Sequence, residues 1–402
     1  MDRLLLKIAA IAISVNGIVA AEPHFEKHTL SPQYLSDGIA AGDIDGDGHP
    51  DLVAGPYWYA GPAFADRFEY YPVQPLEPGT QSSPNKLTFL YDFNGDGHLD
   101  ILVVGLASRD EAFWYENPGN PRSPAHWKKH LVFHRVLGEL PALTDIDGDG
   151  RPELICHHEG RWGWIKPDWS QPTKPWTFTP VTAKADYPVF YHGTGVGDVN
   201  GDGRPDLITN DGWWERPPRE SAGGEWTPHP YKFGEKGGAQ MYAYDVNGDG
   251  KNDIITSLNA HGWGLAWFEQ TTGERGEITF KKHLIMGDRS EEQKYGVAFS
   301  QPHAVTLADI DGDGLKDIVT GKRWWAHGPN RDEEPGGPAV LYWFKLVRPP
   351  TGQAHFEPHL IDDNCGTGIQ IVVQDLNGDG TPDIATAGRK GTFLFLTHRD
   401  HP

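Results

Sequence analysis

Hydrophobic residues in this chain come in short runs, not at helical spacing. The runs are DLVAG (51–55), DILVVG (100–105), ELICHH (153–158), DLITND (206–211), DIITSL (253–258), DIVTGK (317–322) and DIATAG (383–388). Their length and their β-branched content predict strands. Each run follows directly on an acidic, glycine-rich loop. The loops start at Asp43 (DIDGDGHPD), Asp92 (DFNGDGHLD), Asp145 (DIDGDGRPE), Asp198 (DVNGDGRPD), Asp245 (DVNGDGKND), Asp309 (DIDGDGLKD) and Asp375 (DLNGDGTPD), recurring every 47 to 66 residues.

Beyond each run comes an aromatic strand, marked by Trp58, Trp114, Trp164, Trp214, Trp267, Trp343 and Phe395. A fourth strand follows with an aromatic and a histidine three residues on: Trp127/His130, Trp226/His229, Phe280/His283 and Phe356/His359, with Phe68/Tyr71 and Phe178/Val181 as variants. The seventh copy stands at the N-terminus as Phe25/His28. Four strands per repeat, with the last repeat completed from the other end of the chain, predict an all-β fold. The expected architecture is a seven-bladed β-propeller with one DxDGDGxxD calcium loop per blade, its ring closed by the N-terminal strand.

The loop chemistry is that of a hard cation. Calcium takes six to eight oxygens, and Asp/Asn at alternate positions turns side-chain oxygens inward while glycines permit the tight turn. The expected ligands are Asp43, Asp45, Asp47 and Asp51; Asp92, Asn94, Asp96 and Asp100; Asp145, Asp147, Asp149 and Glu153; Asp198, Asn200, Asp202 and Asp206. They continue with Asp245, Asn247, Asp249 and Asp253; Asp309, Asp311, Asp313 and Asp317; Asp375, Asn377, Asp379 and Asp383. The ninth position offers both carboxylate oxygens, while the variable seventh offers its backbone carbonyl. An EF-hand is excluded, because it needs a glutamate at its twelfth position and a flanking helix.

The formal charge of −21 argues against nucleic acid, whose phosphates attract basic surfaces. Seven bound divalent ions would bring it to about −7, ordinary for a soluble domain. Residues 1–21 read as a secretory signal peptide, with Arg3 and Lys7 before an apolar run and a small-residue site at Val19-x-Ala21. Residues 22–402 are then the propeller, soluble and secreted to the periplasm or outside the cell, with no membrane span after cleavage. Cys156 and Cys365 fall in distant repeats, so no disulfide is expected.

On the DxDGDGxxD loops the chain resembles the FG-GAP or VCBS repeat proteins, calcium-loop propellers found in integrin heads and many bacterial secreted proteins. Fold alone leaves function open. A residue type repeated in most blades is scaffold, whereas a polar residue peculiar to one blade needs its own explanation. His28, His130, His229, His283 and His359 are repeat residues. The position six residues before each loop differs, reading Asp37, Lys86, Glu139, His192, Ala239, His303 and Ile369. It begins the innermost strand and lies at the channel mouth opposite the loops. The connection after the second strand returns there with His157, His158, Glu159 and Arg161; Asn210, Asp211 and Trp213; Asn259 and His261; Lys322, Arg323, Trp324 and His327; Arg389 and Lys390. Three or four of His157, His158, His192, His261 and His303 would suffice for one divalent transition metal, since imidazole is its common nitrogen ligand.

Two segments, 191–217 (YHGTGVGDVNGDGRPDLITNDGWWERP) and 301–329 (QPHAVTLADIDGDGLKDIVTGKRWWAHGP), are similar to the propeller portion of the aldos-2-ulose dehydratases. That resemblance implies a carbon-oxygen lyase eliminating water or a sugar leaving group from a keto sugar of the 1,5-anhydrofructose or 3-keto-glycoside type. Such chemistry needs a base, an electrophile and an acid. His192 or His303 is the expected base, Lys322, Arg323 or a metal the electrophile, and His158 or His261 the acid. Asp37, Lys86, Glu139, Asp211, Trp213, Trp324, His327 and Arg389 are the expected contacts to a small or oligomeric carbohydrate. The alternatives are a noncatalytic propeller binding glycans or proteins, and a polysaccharide lyase.

Overall fold

The structure, a computed structural model, describes residues 22–105, 111–218 and 224–399. The signal peptide expected at 1–21 lies outside these residues. Among the described residues no helix is long and apolar enough to cross a membrane.

The strand runs read from the sequence form the second strand of each sheet. β3 (Asp51–Ala54), β7 (Asp100–Val104), β19 (Asp253–Ser257), β23 (Asp317–Lys322) and β27 (Asp383–Gly388) are buried along their whole length. That is why they are continuous apolar runs and not alternating ones. In each sheet a short inner strand precedes them: β2 (Ala40–Gly42), β6 (Leu87–Tyr91), β10 (Leu137–Thr144), β14 (Thr194–Gly197), β18 (Gln240–Tyr244), β22 (Pro302–Ala308) and β26 (Ile371–Gln374). The N-terminal strand β1 (His24–Ser31) is the outer strand of the last sheet, antiparallel to β28 (Gly391–His398), with His28 opposite Leu394. Leu394, and not the expected Phe395, therefore occupies the register that the strand aromatics hold elsewhere.

The expectation of seven separate blades is corrected. Five sheets are discrete and four-stranded, while the fourth and fifth repeats share one eight-stranded sheet in which β14 pairs in parallel with β18. Glycine is the physical cause: a Cβ on Gly195 would lie 1.9 Å from the Met241 carbonyl, and one on Gly197 2.8 Å from the Ala243 Cβ. Bare backbone lets these inner strands approach to hydrogen-bonding distance.

The outer histidines are scaffold. His130, His229, His283 and His359 stack on Trp114, Trp213, Trp267 and Trp343 with ring centroids 4.0–4.5 Å apart. Glu116, Glu215 and Glu269 accept from the first three at 2.7–2.9 Å. Trp213, and not Trp214, holds the repeat register in the fourth repeat, and it is 1 % exposed. Its expected role in contacting a sugar at the mouth is thereby corrected to packing.

The acidic loops are held by their own carboxylates. Asp43 accepts from Gly46 N and Gly48 N at 2.8 and 2.9 Å, and the first aspartates of the other loops repeat the pattern. The ninth position is a buried strap. Asp51 Oδ2 accepts from Ile44 N and Oδ1 from Gly61 N, so both oxygens that the sequence offers already serve the backbone. Burial pushes the carboxyls of Asp100, Asp206 and Asp317 up to about 7 and those of Asp51 and Asp253 to about 6. Cys156 and Cys365 are buried free thiols.

Candidate metal centre at the channel mouth

Five of the polar residues six positions before the loops converge on one buried network. Lys86 Nζ pairs with Asp37 Oδ2, which also accepts from the Tyr34 hydroxyl at 3.1 Å. Arg323, at the end of β23, crosses between sheets: Nη1 donates to Glu139 Oε1 at 2.8 Å and lies 2.8 Å from His303 Nε2, and Nη2 is 3.5 Å from Asp37. Burial would raise the Asp37 carboxyl, but the cations of Lys86 and Arg323 outweigh it and hold the group at about 2.

Three imidazoles face the Glu139 carboxylate through Nε2. His192 is 2.7 Å away, His303 3.4 Å and His261 3.8 Å, and the His192 and His261 nitrogens are 2.9 Å apart. One ligand atom from each of the four residues lies within 4.8 Å of the others. Four ligands at about 2.0–2.2 Å from a tetrahedral ion stand roughly 3.3–3.6 Å apart, so the observed spacings bracket such a site. Protonation suits it too. Burial, reinforced at His303 by Arg323, lowers the His261 and His303 pKa values and favours neutral rings, and an ion would have to take the His303 Nε2 lone pair from its hydrogen bond with Arg323. Burial works against the Glu139 carboxylate, yet His303 and His192 hold it well below the usual carboxylate range. Neutral nitrogens with one anionic oxygen are the donor set of zinc and neighbouring divalent ions.

An insertion between β23 and β24 (Leu341–Val347) roofs this network. His327 brings its ring to 4.6 Å from that of His261. Arg389 donates to the carbonyls of Ala326, Pro78 and Gln81, fastening the insertion to the loop before β6. Lys322 is fully buried, donating to Ser300 Oγ and Glu333 O, and burial lowers its pKa to about 8.

The FG-GAP-like repeat pattern matches residues 92–156, 145–209 and 245–320. The chain carries FG-GAP-like repeats over these residues, and its fold is that of an all-β propeller. No curated protein sequence matches it. Among solved structures, an Agrocybe aegerita lectin, described as recognising non-reducing terminal N-acetylglucosamine, is similar at 16 % identity and TM-score 0.49, over 89 % of this chain and 84 % of its own. Two rhamnogalacturonan lyases are similar at 14 % identity. The enzyme of Bacillus licheniformis aligns over 93 % of this chain and 74 % of its own with TM-score 0.42, and exotype YesX over 94 % and 74 % with TM-score 0.45.

Other residues expected at the propeller mouth lie apart from the cluster. His157 is 1 % exposed among Trp162, Tyr187 and Tyr191, and burial lowers its pKa to about 4. His158 meets Phe133, Phe178 and the Arg135 carbonyl, so it stands outside the network in which it was expected to act as acid. Asp211 pairs with Lys232 at 2.5 Å and accepts from the Tyr191 hydroxyl at 2.5 Å. The Trp324 ring is engaged by Trp325, 3.9 Å away, and by the Lys390 ammonium at 4.3 Å. Tyr34 and Asp332 belong to the mouth without having been expected there, because each is a lone residue in a loop. The one signal for Asp332 was its place in the insertion after His327.

Proposed function

We propose that the propeller is a carbohydrate-active lyase whose channel mouth holds a divalent transition metal on Glu139, His192, His261 and His303 and eliminates a β-oxygen substituent from a keto sugar. The convergence of three imidazole Nε2 atoms on one buried carboxylate carries this reading. A bound ion would polarise the sugar ketone and stabilise the enolate charge formed when the neighbouring C–H is broken. Arg323 fixes Glu139 and, with Lys86 and Asp37, balances charge beneath the site. In this reading His192 and His303 act as ligands, not as the base.

The secondary support is local. Residues 191–217 and 301–329, which resemble the aldos-2-ulose dehydratases, contribute His192, His303, Arg323 and His327 to the mouth. The roof tied down by Arg389 favours a small keto sugar over a threaded polymer. We further propose that the DxDGDGxxD loops bind calcium for stability and that residues 1–21 direct secretion.

The test is incubation of zinc-loaded protein with 1,5-anhydrofructose, followed by enone absorbance and metal content. The reading requires turnover that disappears in His192→Ala together with the metal. Tight zinc binding without turnover on any keto sugar would refute the lyase and leave a binding site.

A further inference from the structure

Large apolar side chains are rarely exposed in this protein: among the described residues only Val189 at 38 %, Phe190 at 47 % and Leu360 at 51 % are. Scattered singly they would need no explanation, but the first two are adjacent and stand beside the histidine cluster. The geometry points to Phe190, with Val189 and the cavity beside it, as a subsite that packs against a second sugar ring, so that the substrate is a two-ring keto-glycoside and not a free monosaccharide; this rests on the lyase reading above.

The segment that carries the pair is tied down along its length. Ala185 N donates to Gly160 O at 2.7 Å, Gly138 N to Val189 O at 3.0 Å and Glu139 N to Tyr191 O at 2.8 Å. Tyr191 is buried, and its hydroxyl donates to Asp211 at 2.5 Å. Phe190 therefore sits between two carbonyls, one bonded to Gly138 and the other to Glu139 of the cluster, and two residues before His192. Two residues span at most about 7 Å between Cα atoms, which keeps the Phe190 backbone at the rim of the cluster. Among the described residues no other aromatic ring stacks on Phe190. An apolar ring held in water by a braced backbone is a surface prepared for a ligand.

Beside this segment lies a cavity of about 310 Å³ lined by Arg135, Leu137, His157, His158, Tyr187 and Val189. Its wall runs into the cluster: a Cβ on Gly138, the neighbour of Glu139, would lie 3.4 Å from the His157 ring. Small-molecule sites occupy about 300–1,000 Å³, so this one suits a single ring and not a chain. Neither nitrogen of the buried His157 completes a hydrogen bond of ordinary geometry, although the Pro188 and Val189 backbone lies alongside. A pyranose offers apolar C–H faces and a hydroxyl edge, which an exposed ring flanked by imidazoles and an arginine matches. Elimination from a 3-keto-glycoside breaks the C2–H and C1–O bonds. The C–H pair forms C1=C2, the departing oxygen keeps the C1–O pair, and the C2 proton ends on that oxygen. The second ring is then the leaving group, and Phe190 holds it while the bond breaks.

The experiment measures kcat/KM of zinc-loaded wild type, Phe190→Ala and Phe190→Tyr on 3-keto-cellobiose and on methyl 3-keto-glucoside, with zinc content and melting temperature alongside. Saturation-transfer NMR with cellobiose, which has no ketone to eliminate, reads the subsite without turnover. Wild type is expected to favour the two-ring substrate. Phe190→Ala is expected to keep its zinc while that preference falls about 2–12-fold through KM, and Phe190→Tyr, which keeps the ring, to retain it. Transfer to cellobiose should weaken in Phe190→Ala alone. An equal preference in wild type and Phe190→Ala overturns the subsite while leaving the lyase standing, and so does zinc lost in step with the preference. A wild type with zinc but no turnover of either substrate removes the lyase reading. Cellobiose transfer that still depends on Phe190 then supports the sugar subsite by itself, and transfer equal in both proteins overturns it.

Discussion

Lys166 fills the third acidic loop with a cation of its own. At the register two residues beyond the strand tryptophan, Glu116, Glu215 and Glu269 pair with outer histidines, whereas Lys166 turns back into the loop. Its ammonium lies 2.6 Å from Asp147 Oδ2 and 2.9 Å from Glu153 Oε1, and it also pairs with Asp149. Burial opposes the charge, but hydrogen bonds to these three carboxylates push the Lys166 pKa up. Glu153 is also the one ninth-position residue that is glutamate, long enough to meet the ammonium. Partly exposed pairs are worth about 0.2–1 kcal/mol each, so three amount to roughly 0.6–3 kcal/mol. Calcium must displace that ammonium. Lys166→Met should therefore raise calcium affinity at the third loop about 3–150-fold. Calorimetric titration of calcium-stripped protein gives the affinity, and anomalous density beside Glu153 gives the occupancy. Equal affinity in both proteins, or a fully occupied third loop in the wild type at the calcium level that half-fills the others, would refute the reasoning.

Three further outcomes are expected. Without calcium the ninth-position carboxyls, raised to about 6–7 against about 3.9 in an unfolded chain, favour the fold while protonated, so stability falls as pH rises through 6–7. Melting temperature in chelator should be higher at pH 5 than at pH 8, and added calcium should reverse that order. Glu139→Ala leaves Arg323 short of its closer carboxylate in a buried site and should cost about 3–5 kcal/mol by urea unfolding. His229→Ala removes the ring stacked on Trp213 and should lower stability by about 1 kcal/mol while leaving zinc content and turnover unchanged; lost turnover in that folded variant would place the outer face in the reaction.

The sequence made the strands legible because their burial on both faces turns each into a continuous apolar run after a loop. It made the mouth legible because counting back a fixed interval from each loop finds the start of the inner strand, where Asp37, Lys86, Glu139, His192 and His303 do meet. Two features were beyond it. Fusion of the fourth and fifth repeats depends on which strand faces are bare, and Gly195 looks no different from a bulge glycine until Met241 is set beside it. The reach of long side chains is equally hidden: Lys322 and Arg323 are adjacent, yet one braces the roof while the other joins three sheets. His157 and His158 stand outside the network because each is taken up by aromatic neighbours, Trp162, Tyr187 and Tyr191 around the first and Phe133 and Phe178 around the second, contacts that sequence spacing does not announce.

The most direct test is X-ray anomalous scattering at the zinc edge on crystals of zinc-loaded protein. A single strong peak about 2.0–2.2 Å from Glu139, His192, His261 and His303, distinct from any calcium in the loops, is the predicted result. A mouth without that peak, with Arg323 still hydrogen-bonded to His303 Nε2, would contradict the metal centre and the chemistry built on it.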